Sequence, residues 1–126
     1  MKFSRVIIKV RDYRNSFEFY KNILGLKLTQ SWQRKDSWGA LFSAGNAEIE
    51  IIWYPSGEDL EDCNYIPERN KFEVFLETHD IDIVFRRLES AGLKISEKPH
   101  DTSWGFRIFG VRDPDNISIK VAQALP

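Results

Sequence analysis

The chain is poor in the residues that most often bind transition metals or form disulfides. Its 126 residues include one cysteine, Cys63, and two histidines, His79 and His100. A single cysteine excludes an intramolecular disulfide and a zinc site built from cysteines. We predict His79 at a strand–helix junction and His100 in a loop, and expect neither to bind metal.

The chain also lacks a surplus of one charge and any long hydrophobic run. Its net charge of -1 offers no basic surplus of the kind that binds nucleic acid. No apolar run approaches the roughly 20 residues that a membrane-spanning helix needs. A strand is predicted within a few residues of Met1, so we expect no signal peptide and a cytoplasmic location. Neither nucleic acid nor a membrane is an expected partner.

The main positive feature is an internal repeat. Three residues of the first half recur in the second at matching places in the pattern. The pairs are Asp12 and Asp80, Gly25 and Gly92, and Trp38 and Trp104. The separations are 68, 67 and 66 residues, so two single-residue gaps align the copies. A repeat of this length indicates a duplicated supersecondary unit.

Each copy carries the same succession of periodicities. An alternating strand leads to an aspartate that suits a helix N-cap, then to a helix that a glycine ends, then to three strands. The predicted strands are 5–10, 26–32, 37–43 and 47–53 in the first copy, and 72–78, 93–96, 105–111 and 117–122 in the second. This predicts an α+β fold of two tandem β-α-β-β-β units. We expect a single domain over 1–126, with unit one at 1–53, an exposed linker at 54–70 and unit two at 71–126.

Several short motifs resemble the vicinal oxygen chelate superfamily, the group of glyoxalase I, bleomycin-resistance proteins and extradiol dioxygenases. The motifs are Val10-Arg11-Asp12, Ser16-Phe17-Glu18-Phe19-Tyr20, Leu24-Gly25-Leu26, Trp104-Gly105 and Arg112-Asp113-Pro114-Asp115. The resemblance covers essentially the whole chain. It implies that each unit curls into a half-barrel of mixed sheet, and that two halves form a cleft. The halves come from one chain or are exchanged in a dimer, and we expect a homodimer.

Enzymes of this superfamily place a divalent metal in the cleft, on ligands from the first and last strands of each unit. The resemblance maps those positions onto four residues, Arg5, Glu50, Glu73 and Lys120. Arginine has no lone pair to donate, and lysine at its usual pKa is an ammonium ion. The residues therefore argue against the metal chemistry that the resemblance implies. We predict no metal, no cofactor and no catalytic residue.

The four charged residues allow two interpretations. Arg5 can pair with Glu50, and Glu73 with Lys120, because buried charges are costly unless they are paired. In the first interpretation the quartet is the polar floor of a ligand site. In the second it is a structural salt-bridge patch in place of a metal.

Tryptophans are the other candidates for ligand contact. They stack on flat rings and bury a large area at low entropic cost. The candidates are Trp32, Trp38 and Trp104. A packing role also suits Trp38 and Trp104, which leaves Trp32 as the better ligand candidate. Trp53 ends an apolar face and is expected in the core.

These observations favour a metal-free protein that binds a small organic molecule, with sequestration of an antibiotic or toxic compound as the concrete form. The alternative is an enzyme of the same superfamily, a lyase, isomerase or dioxygenase with a non-standard or weak metal site. A third interpretation is a regulatory or immunity-like protein whose cleft has decayed. The absence of histidine at positions 5 and 73 favours binding over catalysis.

Overall fold

Among the residues that the structure describes, each half of the chain has one strand, one helix and three further strands, as the periodicities predict. The elements of the first half are β1 (Arg5–Lys9), α1 (Tyr13–Glu18), a π-helical segment (Phe19–Ile23), β2 (Lys27–Gln33), β3 (Trp38–Ala44) and β4 (Ala47–Trp53). Those of the second half are β5 (Val74–Glu77), α2 (Ile81–Ser90), β6 (Ile95–Asp101), β7 (Phe106–Arg112) and β8 (Ser118–Ala124). The predicted α+β succession is confirmed.

The structure is a computed structural model that describes residues 1–56 and 72–126. Most of the predicted linker and Cys63 lie outside the described residues. The chain divides into two compact units, Met1–Tyr65 and Ile66–Pro126, and each is described by itself. Within the described residues, no helix has the length and hydropathy of a membrane-spanning segment.

Both helices begin where the sequence predicts. Asp12 and Asp80 have extended backbone conformations, and each side chain accepts a hydrogen bond from an amide three residues on, of Asn15 and Ile83, at 3.1 Å. Such a cap satisfies one of the amides that the first helical turn leaves without a partner. After each helix a glycine adopts positive φ, 81° at Gly25 and 80° at Gly92.

The first helix accommodates one extra residue. Thirteen positions separate Asp12 from Gly25, and twelve separate Asp80 from Gly92. The extra residue is taken up by the π-helical segment, where the amide of Leu24 donates to the carbonyl of Phe19 at 2.7 Å. A π-bulge is the usual result of a one-residue insertion into a helix. The first alignment gap between the repeats therefore has a structural counterpart.

Two open, mixed four-stranded sheets result. Their strand orders are β1-β4-β3-β2 and β5-β8-β7-β6. The first strand of each unit pairs in parallel with the last, and the remaining pairs are antiparallel. Equivalent positions have equivalent partners: Glu50 lies between Ile7 and Leu41, and Lys120 lies between Phe75 and Gly110.

One face of each sheet packs on its helix and forms the core. The fully buried side chains on these faces include Phe42 and Ile51 in the first unit, and Phe109 and Ile119 in the second. The opposite face carries the charged residues of β1, β4 and β8. Because side chains alternate across a strand, burial of one face assigns every second residue to the other.

One strand is longer than predicted. The sequence predicts a strand at 93–96, whereas β6 runs Ile95–Asp101 and therefore continues through Pro99. Proline is tolerated there because β6 is an edge strand with an irregular register. The prediction that His100 lies in a loop is therefore wrong, because His100 lies on this strand.

Removal of the second helix cap tests the duplicated start of the helices. We expect Asp80→Ala to lower the free energy of unfolding by about 1 kcal/mol, because the amide of Ile83 loses its acceptor. Asp82→Ala is the matched control, since Asp82 lies in the first turn without capping it. The Asp82→Ala change should lower the free energy of unfolding by only about 0.3 kcal/mol. Equal losses in urea unfolding would contradict the capping role.

Candidate functional site

The face of the first sheet opposite α1 carries a buried carboxylate that is paired with a cation. Arg5 Nη1 lies 2.8 Å from Glu50 Oε1, and Arg5 Nη2 lies 3.7 Å from Glu48 Oε1. Glu50 is 8% exposed, whereas Arg5 is more open to solvent. Burying a carboxylate is costly unless a partner compensates its charge. The structure thus brings together Arg5 and Glu50 as the sequence predicts, with Glu48 as a second acid.

Trp32 lies on this same face. Its register partner is Gly39, which in turn pairs with Ile52, two residues beyond Glu50. A Cβ atom on Gly39 would lie 2.1 Å from Trp32 Cζ2, so the indole covers the bare backbone of Gly39. The guanidinium of Arg34 lies 5.7 Å from the centre of the Trp32 ring, within range of a cation–π contact.

Trp38 lies on the opposite face, beside α1. Its ring is 5.7 Å from Tyr13 at 84° and 5.0 Å from Trp53 at 62°. The sheet therefore separates Trp38 from Arg5, Glu50 and Trp32. Trp53, expected in the core, is half-buried against Trp38.

The face of the second sheet opposite α2 carries a larger group of charged residues. Lys120 Nζ contacts Glu97 Oε1 and lies 3.7 Å from Glu73 Oε2. The hydroxyl of Ser118 donates to Glu73 at 2.6 Å, and His100 Nε2 lies 2.6 Å from Glu97 Oε2. The expected pair of Glu73 and Lys120 is present, but Glu97 is the closer partner of the lysine.

Two register shifts bring Glu97 and His100 to this face. The shift between Ile95 and Glu97 has a counterpart in the first unit between Leu28 and Gln30. The second shift, between Glu97 and His100, has none in β2. This second shift places His100 on the charged face, whereas strict alternation after Glu97 would place it on the other side of the sheet. Sequence reasoning missed both residues. Pro99 was the available signal, because proline inside a strand marks an edge or a bulge.

Lys120 and His100 together stabilise the charged form of Glu97. The hydrogen bond from Lys120, followed by that from His100, holds the pKa of the Glu97 carboxyl below its ordinary value. Partial burial acts in the opposite direction and is outweighed. The group therefore retains its negative charge to lower pH than a free glutamate.

Three aromatic rings extend this charged face. Trp104 lies 6.2 Å from Phe75 and 5.4 Å from Phe106, and the two phenyl rings are 5.6 Å apart. Trp104 is 57% exposed and Phe75 is 42% exposed. Phe75 is the register neighbour of Lys120, so the aromatic rings lie directly beside the charged residues. We call Phe75, Trp104 and Phe106 the aromatic cluster.

Comparisons with known proteins agree with this architecture. The family model of the Glyoxalase/Bleomycin resistance protein/Dioxygenase superfamily matches residues 2–121. The uncharacterized protein YraH of Bacillus subtilis (strain 168) is 31% identical over 131 residues, which cover 99% of this chain and 100% of YraH. The chain therefore belongs to the glyoxalase/bleomycin resistance protein/dioxygenase superfamily.

Solved structures share the fold at lower identity. TnmS3, an antibiotic binding protein from Streptomyces sp. CB03234, matches with a TM-score of 0.75 at 19% identity, over 98% of this chain and 96% of TnmS3. A protein of unknown function from Agrobacterium tumefaciens str. C58 matches with a TM-score of 0.76 at 26% identity, over 99% of this chain and 95% of that chain. At these identities the likeness to TnmS3 is one of fold.

The side chains at the superfamily's metal positions do not fit a divalent metal. Arg5 and Lys120 are cations, and each contacts a carboxylate. A guanidinium has no lone pair for a metal, and an ammonium must first lose its proton. Within residues 1–56 and 72–126, no group of three or more His, Cys, Asp or Glu side chains is arranged to hold a metal ion.

The contact between Trp32 and Gly39 can be tested by a double-mutant cycle. We expect Gly39→Ala to destabilise the protein by about 1–3 kcal/mol, because the new methyl group overlaps the indole ring. In a Trp32→Ala background the same change should cost much less. Urea unfolding of the four proteins gives the coupling energy, and additive losses would contradict the contact.

The charge on Glu97 predicts how stability depends on pH. Because the folded-state pKa is lowered, the carboxylate stabilises the fold above its ordinary pKa of 4.5, and this contribution is lost as pH falls through the folded value. The stability difference between the wild type and Glu97→Gln should therefore shrink below about pH 4.5. Denaturant unfolding from pH 7 to 3 measures it, with Glu77→Gln as an exposed control.

A carboxyl NMR titration tests the cause of the Glu97 shift. Lys120→Met should move the titration midpoint of Glu97 upward, because it removes the main cause of the lowered pKa. An unchanged midpoint in that variant would assign the effect to other groups.

Proposed function

We propose that this protein binds a small organic molecule that carries an aromatic ring, and that it sequesters the molecule without transforming it. The observation that carries the proposal is the pairing of Arg5 with Glu50, and of Lys120 with Glu97, at or beside the superfamily's metal positions. These contacts fill the coordination positions with cations and leave ring stacking and hydrogen bonding as the available interactions. A toxic or antibiotic compound is the class of ligand we favour.

The aromatic cluster supports the ligand class. An exposed ring group of this kind is uncommon unless it contacts a partner, and stacked or edge-on ring contacts add to the gain from buried area. The neighbouring Lys120 and Ser118 donate hydrogen bonds, and the carboxylates of Glu73 and Glu97 accept them. Apolar surface with a few polar groups is the usual composition of a small-molecule site.

A catalytic alternative rests on His100. Its contact with the Glu97 carboxylate orients an imidazole, and an imidazole so oriented can act as a general base. The enzyme alternative is a lyase, isomerase or dioxygenase of the superfamily with a non-standard or weak metal site. Experiments on metal content and ligand turnover separate it from simple binding.

The direct test is ligand binding by purified protein of measured metal content. We expect saturable quenching of tryptophan fluorescence by members of a panel of glycopeptides and aromatic drugs. Elemental analysis should find no stoichiometric Ni, Zn, Fe or Mn, and chromatography should recover the ligand unchanged. Stoichiometric metal or a converted ligand would overturn the proposal.

Sedimentation of the same sample tests the proposed homodimer, and fractionation of cells tests the proposed cytoplasmic location.

A variant of the aromatic cluster locates the binding surface. We expect Trp104→Ala to weaken binding, measured by calorimetry, by about tenfold, which corresponds to roughly 1.4 kcal/mol. Trp104→Phe should retain part of the affinity, because a smaller ring still stacks. Ile83→Ala removes an apolar side chain on α2 that is 59% exposed, and serves as the control. Equal affinities of Trp104→Ala and the control would show that the aromatic cluster does not contact the ligand.

A further inference from the structure

A second group of aromatic rings lies in the first unit, on the sheet face that α1 covers. A cavity of about 270 Å³ is bounded there by Arg11, Asp12, Tyr13, Arg14, Trp38 and Trp53. Trp38 and Trp53 are register partners on β3 and β4, and Trp38 contacts Tyr13 of α1. The cavity therefore lies on the opposite face of the sheet from Arg5 and Glu50.

The aromatic residues that line this cavity contact one another. Trp38 is 5.0 Å from Trp53 and 5.7 Å from Tyr13, both in edge-on geometry. The hydroxyl of Tyr13 donates to the carbonyl of Gly39 at 3.0 Å, and burial raises the pKa of this tyrosine. The hydroxyl is thus occupied, and the tyrosine contributes its ring to the cavity. Two half-buried indoles beside it give an apolar wall that is already formed.

The rim of the cavity is positively charged. Arg14 is exposed and has no hydrogen bond or ion pair with any other residue of the described ranges. Glu18, one helical turn away, holds the side-chain amide of Asn22 at 2.6 Å instead. Asp12 uses Oδ1 to cap α1 through the amide of Asn15. The guanidinium of Arg14 is therefore the cation at this rim that remains available to a ligand.

We propose that this cavity is a binding site for a small aromatic carboxylate. The ring would lie against Trp38 and Trp53, and the carboxylate would accept paired hydrogen bonds from the guanidinium of Arg14. A volume of 270 Å³ is just below the usual range for drug-sized ligands, so a single ring fits it. The rim repels a cationic ligand, and a neutral ligand gains no ion pair from it. This site is separate from the surface of the proposed function.

Arg14 also lines a larger neighbouring cavity of about 400 Å³, between α1 and the edge strand β2. Tyr13 is common to both cavities. The larger cavity is lined by Tyr13, Phe17 and Trp32 as well as by Ser31 and Gln33. We assign the aromatic ring to the smaller cavity because two indoles in mutual contact, Trp38 and Trp53, form its wall. Because Arg14 lines both cavities, its substitution removes the guanidinium from both and tests carboxylate binding in either one.

The test is an NMR titration of ¹⁵N-labelled protein with benzoate, and with benzamide as the neutral probe of the same shape. The indole N–H signals are assigned by Trp→Phe variants. We expect benzoate to shift the signals of Trp38 and Trp53 saturably, and to leave that of Trp104 unchanged. Benzamide should bind at least about tenfold more weakly, because it lacks the charge that strengthens a hydrogen bond to arginine.

Variants of exposed arginines complete the test. Arg14→Gln should weaken benzoate binding by about tenfold, and Arg14→Lys should retain part of it. Arg86→Gln on α2 is the matched control, since Arg86 is also an exposed helical arginine. No saturable shift, equal binding of benzamide, or equal binding by Arg14→Gln would each overturn the proposal. A shift of Trp104 alone would place benzoate on the aromatic cluster, which overturns this site and supports the proposed function.

Discussion

The structure depends on the strict two-sidedness of the last strand of each unit. β4 and β8 lie between two neighbouring strands, and each buries every second residue beneath a helix. That burial assigns Glu50 and Lys120 to the opposite face, with no freedom to shift by one residue. A one-residue slip would bury Lys120 against α2 and expose Ile119. The charged faces are therefore a consequence of the core, because the same alternation that packs Ile51 and Ile119 presents the charges.

The two units place charge of opposite sign at matching positions. Glu50 and Lys120 each lie between the first and third strands of their own unit, as expected of duplicated strands. The buried glutamate has Arg5 as its compensating cation, whereas the lysine has Glu97 and, at longer range, Glu73. In both units, a charge near the sheet centre has a partner of opposite sign from another strand. Arg5 lies on β1, next to β4, whereas Glu97 lies on β6, two strands from β8. The register shift between Ile95 and Glu97 brings Glu97 to the charged face, and the second shift, which β2 lacks, adds His100.

Much of the fold was predictable because its signals are local. The caps at Asp12 and Asp80 and the alternation of β1 and β4 each extend over only a few residues, and all match the structure. The repeat has a longer period, and it shows because these same local signals recur along the chain. The pairing of Arg5 with Glu50 followed from the resemblance, which maps both residues to one site, and from the cost of burying an unpaired charge. The position of His100 was not predictable in this way, because a bulge changes the face of every later residue on its strand. The sequence left Trp38 either a ligand or a packing role, and its side chain contacts Tyr13 of α1.

The sequence by itself determined the two β-α-β-β-β units and the starts of their helices. Periodicity and capping act between residues close in the chain, and the chain order displays both. Only the tertiary structure decided that Glu97 is the nearest acid to Lys120, that Trp32 covers Gly39, and that Trp38 joins Tyr13 and Trp53. These contacts depend on register between strands. Register is set by the packing of a whole sheet on its helix, and no short segment contains it.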